Sequence, residues 1–391
     1  MPQFGAATIR LALCVTVFAL IAGGARAQGP FYRASPNEIA GTPGTIIRQE
    51  PMPPTLSGAA AYRLLYRSTG LNNEPIAVSG VVIVPPGPAP AAGRPIIAWA
   101  HPTTGVVPRC APSLAIFVYQ QIQGLRQMTE HGFIVVATDY PGLGTPQTHP
   151  YLVGVSEARA VLDSVRAARA MTGASNRFAV WGHSQGGQAA LFTGLIAKSY
   201  APDLDLVGVA AAAPATELAT LLGEDINSSG GRNLTAMTLW SWSRLFGAPI
   251  DRVVDPAALP TVDRLTGECI ESVYDLMLRR RTARPLEREF LSANDFYTLE
   301  PWRSLMAANA PGPLPPQIPL FLAQGGADEL VRPRITEDYM KRGCRTGGKV
   351  RMLMLPASNH GLIARDAAAS AVAWMADRFA GAPAPSDCSG G

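Results

Sequence analysis

A serine between glycines, in the segment Gly-His-Ser-Gln-Gly at 182–186, is the feature of this chain that points most directly to chemistry. An apolar run at 177–181 precedes it, and small residues typical of a helix follow it. A serine hydroxyl becomes an effective nucleophile where a sharp strand-to-helix turn exposes it beside a base, and glycines relieve the crowding in such a turn. The same turn directs the backbone N–H of Gln185 towards the place where an oxyanion would form. The pattern therefore predicts Ser184 as a nucleophile and Gln185 as an oxyanion donor.

A serine nucleophile needs an imidazole to accept its proton, and the imidazole needs a carboxylate to hold its tautomer. Where the serine comes first on such a sheet, the acid and then the histidine follow it along the chain. The five histidines are His101, His131, His149, His183 and His360. Only His360 lies after Ser184, in a loop between an apolar run at 350–355 and a predicted helix. His360 is therefore the predicted base.

Asp328 is the leading candidate for the carboxylate. It follows the apolar run at 318–323 through a short glycine-containing loop, on the next-to-last predicted strand. The neighbouring Glu329 is a close rival, whereas Asp338 lies too deep within a predicted helix.

A second oxyanion donor is expected from the loop after an earlier strand. The segment His-Pro-Thr-Thr-Gly at 101–105 has this position. Because Pro102 has no N–H, Thr103 is the predicted donor and Thr104 the second choice. We expect His101 to help order this loop, and His183 to pack or hydrogen-bond locally rather than to react.

The elements around these residues alternate between strands and helices. Apolar, strand-like runs lie at 61–68, 76–84, 96–100, 133–138, 177–181, 206–213, 318–323 and 350–355. Helical patterns lie at 118–130, 156–171, 186–199, 335–344 and 362–379. Nearly continuous apolar strands that alternate with helices indicate a mostly parallel sheet covered on both faces, with the chemistry at the carboxyl ends of the strands. The Pro- and Gly-dotted segment 31–54 is predicted to wrap the surface.

The alternation is interrupted between 214 and 316. This segment is richer in charge, lacks clear strands and carries Leu234, Met237 and Trp240 at helical spacing. We interpret it as a mostly helical insertion over the active site, with a packing subdomain that never contacts substrate as the alternative. The predicted division is a signal peptide at 1–27, an α/β core at 28–213 and 317–391, and the insertion at 214–316.

The N-terminus is typical of a secretory signal. Arg10 precedes an apolar stretch at 11–22, and Ala-Arg-Ala at 25–27 offers a cleavage site, so the mature chain is expected to begin near Gln28. The apolar stretch is too short for a membrane span, and Leu13 argues against a lipoprotein anchor at Cys14. We therefore expect a secreted or periplasmic protein with no transmembrane segment after signal removal.

Four cysteines remain after the signal, namely Cys110, Cys269, Cys344 and Cys388. An even number in an exported chain indicates two disulfides, for which three connectivities are open. Metal binding is the competing interpretation, but no C-x-x-C segment or paired Cys/His spacing supports it.

Composition argues against several other classes of function. The net charge is only +4 and no run of basic residues is longer than the three arginines at 279–281, so nucleic acid is not an expected partner. The sequence has no phosphate-binding loop with a lysine, no dinucleotide fingerprint and no His-Glu-x-x-His zinc helix. No cofactor or metal is expected.

Five segments carry a resemblance to a known family. They are Thr-Asp-Tyr-Pro-Gly at 138–142, the glycine-flanked serine at 182–187, Ser-Tyr-Ala-Pro-Asp-Leu at 199–204, Asp-Glu-Leu-Val at 328–331 and Asn-His-Gly at 359–361. In order and spacing they resemble the α/β-hydrolase superfamily, and within it the secretory lipase family typified by a secreted yeast lipase of the A type. The likeness runs from about 96 to 379.

The resemblance implies Ser184 as nucleophile, Asp328 as acid and His360 as base. It also implies a helical lid inserted between strands after the nucleophile, which matches 214–316 and would allow transient contact with a lipid interface. Together with the position of Cys388 in the C-terminal tail, it favours the pairing Cys110–Cys269 and Cys344–Cys388.

These observations predict a secreted serine hydrolase that cleaves carboxylic esters, with lipid acyl esters expected, through an acyl-enzyme. A serine peptidase of the prolyl-oligopeptidase type is the alternative on the same fold, with Glu224-Asp225 as a weak candidate anchor for a peptide amine. A non-catalytic binding protein is the third possibility, which the survival of every candidate triad residue disfavours.

Overall fold

The computed structural model describes residues 29–388, apart from 225 and 227. The predicted signal peptide at 1–27 and Cys14 lie outside the described residues. Within the described part, one sheet contains nine strands. The strands are β1 (Ile46–Met52), β2 (Ala60–Thr69), β3 (Pro75–Val84), β4 (Ile96–Ala100), β5 (Ile134–Thr138), β6 (Arg177–His183), β7 (Asp205–Ala212), β8 (Leu320–Gly325) and β9 (Val350–Leu355).

The sheet is antiparallel at one end and parallel over the rest. Its strand order is β1-β2-β3-β5-β4-β6-β7-β8-β9. The pairs β1–β2, β2–β3 and β3–β5 are antiparallel, and every pair from β5–β4 to β8–β9 is parallel. All residues of β4, β5 and β8 are buried, as expected of parallel strands covered on both faces. The loops that follow the parallel strands therefore meet at one edge of the sheet.

Twelve helices of the described residues surround this sheet. They are α1 (Pro36–Ile39), α2 (Val118–Gln121), α3 (Leu125–Glu130), α4 (Gly154–Thr172), α5 (Gln185–Tyr200), α6 (Leu218–Glu224), α7 (Ser229–Phe246), α8 (Leu259–Thr266), α9 (Val273–Thr282), α10 (Trp302–Ala308), α11 (Pro333–Arg345) and α12 (Ile363–Phe379).

Two apolar cores lie on opposite faces of the sheet. Because side chains alternate along a strand, Trp99 of β4 packs into the core that includes α3 and α12, whereas Ala98 packs into the core that includes α4, α5 and α11. In β6, Trp181 likewise packs into the first of these cores and Val180 into the second. Helices therefore cover both faces, and the predicted fold class is confirmed in this respect.

The chain between β7 and β8 contains helices α6 to α10 and only an isolated bridge between Val254 and Leu291 among its described residues. Its large buried side chains, among them Trp242 and Trp302, join the core on the α12 side of the sheet. Its mostly helical character agrees with the sequence pattern.

Two disulfides cross-link the fold, and they have the favoured pairing. The bond Cys110–Cys269 joins the loop after β4 to the segment between α8 and α9. The bond Cys344–Cys388 joins the end of α11 to the C-terminal tail.

Two local features differ from the sequence pattern. The segment 31–54, predicted only to wrap the surface, contains the short helix α1 and the strand β1, whose polar sequence at 48–50 concealed its pairing with β2. The single helix expected at 118–130 is two short helices, because Gly124 between them has a φ of +84°. That left-handed conformation interrupts a helix and is adopted most readily by glycine.

Candidate active site

Ser184 lies at the junction of β6 and α5. Its φ of 56° and ψ of −117° fall outside the regions that non-glycine residues favour, which costs about 1–3 kcal/mol. The close packing around this turn explains its glycines. A Cβ on Gly182 would lie 2.0 Å from the carbonyl oxygen of Gly186, and a Cβ on Gly186 would lie 1.9 Å from the carbonyl oxygen of Ala100.

The structure brings His360 and Asp328 to this serine. The His360 Nε2 lies 2.9 Å from the Ser184 Oγ, and the His360 Nδ1 lies 2.8 Å from the Asp328 Oδ2. With Nδ1–H donating to the carboxylate, Nε2 is free to accept the serine proton. The three groups thus form one hydrogen-bonded chain. Ser184 and Asp328 are buried within it, whereas His360 is partly exposed at the cavity wall.

The loop after β8 selects Asp328 rather than its rivals. The Asp328 Oδ1 accepts the backbone N–H groups of Leu330 at 2.9 Å and Val331 at 2.8 Å, so the Oδ2 is turned towards His360. Glu329 is exposed, and Asp338 lies in α11 with an ion pair to Lys341 at 3.0 Å.

The two oxyanion candidates flank the serine. Gln185 is the first residue of α5, so its backbone N–H has no acceptor within the helix. Thr103 lines the same cavity as Ser184 and His360, and its Oγ1 lies 2.9 Å from the hydroxyl of Tyr151. The Thr104 hydroxyl instead donates to the carbonyl oxygen of Cys110 at 2.8 Å. Its hydrogen is therefore used in a bond within the loop and does not face the serine.

Two buried histidines support the site. The His101 Nδ1 lies 2.7 Å from the carbonyl oxygen of Pro102, and its Nε2 lies 3.2 Å from that of Asp139, which fits the predicted ordering role. Burial lowers the pKa of His101 to about 4. Burial, with a smaller contribution from the proximity of the His360 ring, lowers the pKa of His183 to about 3. Neither histidine therefore carries a charge near neutral pH.

A buried polar cluster behind Gln185 escaped the sequence reasoning. The Gln185 Nε2 donates to the Glu157 Oε1 at 2.7 Å and to the His149 Nε2 at 3.1 Å. The His149 Nδ1 lies 2.8 Å from the carbonyl oxygen of Pro141, so Nδ1 donates there and Nε2 accepts from Gln185. Burial raises the pKa of Glu157 to about 8 and lowers that of His149 to about 3. No local motif signals Glu157, since it lies within the body of α4.

Two chambers open from Ser184. The large chamber, about 620 Å³, is lined by His360, Thr103 and residues of α7 and α9, including Asn233 and Arg280. The small chamber, about 30 Å³, is lined by Gln185 and by leucines of α6. Both touch the nucleophile, so one substrate can occupy the two together.

The model of one protein family matches residues 113–387, and its description is secretory lipase. This chain belongs to the secretory lipase family. Lipase A of Arthroderma benhamiae is 23% identical over 394 residues, an alignment that covers 92% of this chain and 81% of that protein. Trichothecene C-3 esterase of Fusarium sporotrichioides is 23% identical over 377 residues, which covers 90% of this chain and 83% of that protein.

The X-ray structure of Candida antarctica lipase A is similar to this chain over most of its length. The TM-score is 0.77 at 20% sequence identity, and the match covers 92% of this chain and 87% of that chain. The likeness confirms the α/β-hydrolase fold.

Family membership makes this protein a carboxylic ester hydrolase of the lipase and esterase class. The relatives named above are a lipase and an esterase, so the peptidase alternative receives no support from them. The secretory family and the two disulfides agree with an exported protein. In the described ranges no helix is long and apolar enough to cross a membrane, and no group of three or more His, Cys, Asp or Glu could hold a metal ion.

Proposed function

We propose that this secretory lipase cleaves esters through a covalent acyl intermediate on Ser184, with His360 as general base and acid and Asp328 as its orienting carboxylate. The observation that carries the proposal is the continuous hydrogen-bonded chain from the Ser184 hydroxyl through the His360 ring to the Asp328 carboxylate. Such a chain activates a hydroxyl that is otherwise a weak nucleophile.

The reaction proceeds in two halves. The Ser184 Oγ attacks the ester carbonyl carbon while its proton passes to the His360 Nε2, and the carbonyl oxygen becomes an oxyanion. As the bond to the alcohol oxygen breaks, His360 returns the proton to that oxygen. A water then repeats the sequence against the acyl-serine and releases the acid. Apart from the ester and the water, every group that takes part in these steps belongs to this chain.

The Gln185 and Thr103 backbone N–H groups hold the oxyanion in this proposal. The first N–H groups of a helix lack intrahelical acceptors and lie at the positive end of its dipole, which favours negative charge at the start of α5. Thr103 lines the same cavity as the serine. The anchoring of the Gln185 side chain by Glu157 and His149 restrains the first of these donors.

The variant Ser184→Ala tests the mechanism. We expect it to lose at least about 10³-fold in kcat with 4-nitrophenyl butanoate, and to lose labelling by a fluorophosphonate probe. The control Ser199→Ala removes an exposed hydroxyl at the end of the same helix and should retain both. Full ester hydrolysis by Ser184→Ala would refute the proposal. Equal or faster cleavage of an aminoacyl-proline amide by the unaltered protein would restore the peptidase alternative.

We also propose that the insertion at 214–316 acts as a lid that contacts lipid, between the two parts of the core at 28–213 and 317–391. Helix α9 exposes Tyr274, Leu276, Met277 and Leu278, of which Leu276 also lines the large chamber. An exposed apolar patch at the mouth of a cavity fits contact with an apolar interface. The exposed arginines at 280 and 281 extend the same helix.

Partition into lipid tests the lid proposal. Met277→Gln should weaken sedimentation with phosphatidylcholine vesicles and slow the hydrolysis of emulsified tributyrin, while the rate with a soluble ester changes little. Leu56→Gln is the control, because Leu56 is fully exposed but does not line either chamber. Equal vesicle binding by Met277→Gln and the unaltered protein would contradict the contact.

A further inference from the structure

The two chambers at Ser184 differ about twentyfold in volume, and this difference bears on which esters fit. We propose that this protein prefers short acyl groups, from acetyl to butanoyl, on large alcohols that carry polar groups. The acyl group occupies the small chamber and the alcohol the large one. The inference rests on the serine mechanism proposed above, because that mechanism decides which part of the ester enters which chamber.

The proton path assigns the alcohol to the large chamber. In the collapse of the tetrahedral intermediate, the His360 Nε2 must reach the departing alcohol oxygen. The alcohol therefore lies on the His360 side of Ser184, where His360, Gly361 and Ala364 line the large chamber. The acyl substituent points away from that imidazole, towards the small chamber, whose lining includes Gln185 but not His360.

The small chamber limits acyl length because its far wall is packed. A volume of about 30 Å³ admits only a short chain of a few heavy atoms. Leu218, Leu221 and Leu222 of α6 form part of its wall, and all three are buried members of the main apolar core. A longer acyl chain can enter only if one of these leucine side chains moves out of its packed position.

The large chamber offers polar partners as well as room. Asn233, Arg279, Arg280 and Glu287 line it beside apolar residues such as Ile270. The buried Arg279 guanidinium reaches the Asn233 Oδ1 at 3.3 Å and donates to the carbonyl oxygen of Leu265 at 2.9 Å. A hydrocarbon alcohol would cover these polar groups without replacing the hydrogen bonds that they can make to water. Hydroxyl or carbonyl groups on the alcohol would form such hydrogen bonds. The wall therefore suits a large alcohol that carries both apolar surface and some oxygen groups able to bind these partners.

The first experiment varies the acyl chain on one alcohol. The full protein is assayed with 4-nitrophenyl acetate, butanoate, octanoate and palmitate below their micellar concentrations. Each rate is divided by the rate at which hydroxide hydrolyses the same ester. We expect kcat/KM to be highest from acetate to butanoate and at least tenfold lower for octanoate. An optimum at octanoate or palmitate that still requires Ser184 would overturn the acyl inference while leaving the serine mechanism intact. Hydrolysis that does not require Ser184 would instead refute the mechanism.

The second experiment widens the small chamber. Leu222→Ala should raise the ratio of octanoate to acetate activity at least fivefold. Leu265→Ala is the matched control, because it truncates an equally buried leucine of the same insertion that lines neither chamber, and it should leave the ratio unchanged. Leu221→Val serves as a milder second change if Leu222→Ala does not fold, with folding checked by circular dichroism. An unchanged ratio in a folded variant of the wall would refute the proposed acyl chamber.

The third experiment keeps the acetyl group and varies the alcohol. We expect a peracetylated disaccharide to have at least tenfold higher kcat/KM than hexyl acetate, and Arg280→Met to narrow that gap by raising KM for the disaccharide ester. Arg281→Met, on the same helix but outside the chamber lining, should not narrow it. Equal kcat/KM for the two acetates would overturn the alcohol half of the inference.

Discussion

Replacing the buried Glu157 by glutamine should stabilise the protein at neutral and alkaline pH. The Glu157 Oε1 accepts from the Gln185 side chain at 2.7 Å and from the Leu152 N–H at 3.1 Å, whereas its Oε2 has no partner within the described residues. A glutamine keeps the accepting oxygen and the shape, and it removes the charge. The glutamine amide buries N–H groups without a partner, much as the protonated carboxyl buries its O–H, so the pH dependence of the stability difference, rather than its absolute size, reports the free energy of ionising this carboxyl.

The size of the effect follows from the pKa. Burial raises the pKa of Glu157 from its ordinary value of 4.5 to about 8 in the folded protein. Folding thus favours the protonated form, and the stability associated with it is complete below pH 4.5 and is lost as the pH rises towards 8. Each pH unit in this interval costs about 1.4 kcal/mol, so the stability of Glu157→Gln relative to the unaltered protein should be greater at pH 7 than at pH 5 by about 2–3 kcal/mol.

Urea unfolding at pH 5, 6, 7 and 8 measures this difference, with the disulfides intact. The control is Glu289→Gln, which neutralises an exposed carboxyl of the insertion and should leave the pH dependence unchanged. If the gain from Glu157→Gln were the same at pH 5 and pH 8, or if the variant were destabilised at pH 8, then Glu157 would be ionised in the folded protein and the reasoning would fail.

Three further outcomes are expected around the site. Asp328→Asn should lower kcat by about 10³- to 10⁴-fold, because the amide no longer holds the His360 ring in the tautomer that accepts the serine proton. Glu329→Gln should retain activity in the same ester assay. Thr103→Val keeps the backbone N–H and should lower kcat less than about tenfold, while a loss above about 100-fold would mean that the hydroxyl is the donor. Replacing Cys110 and Cys269 together by serine should reduce the free energy of unfolding in urea by about 2–5 kcal/mol, and an unchanged urea midpoint would contradict this.

The catalytic candidates could be recognised from the sequence because chain order and element order are local information. Only one histidine follows Ser184, and it lies between a strand and a helix in the pattern. The apolar runs also identified eight of the nine strands described, since strands buried on both faces have continuous apolar sequences. The exception was β1, whose polar residues are stabilised by pairing with β2, and such pairing depends on a partner rather than on local composition.

The choice between Asp328 and Glu329 depended on the direction of two neighbouring side chains. The sequence ranked them by position alone, whereas in the structure the backbone N–H groups of Leu330 and Val331 bind one Asp328 oxygen and leave the other facing His360. The Glu157 cluster had no sequence signal at all, because Glu157 and Gln185 approach only when α4 packs beside α5.

The sequence by itself determined the order of most strands and helices, the strand-to-helix turn at Ser184 and the one histidine that could serve as its base, because periodicity, glycine spacing and residue order are written along the chain. Only the tertiary structure decided which carboxylate meets the imidazole, which carboxyl is buried without a charge, and how much space lies on each side of the nucleophile. These properties arise from atoms that are distant along the chain and are brought together by packing. No local segment of the sequence therefore encodes them.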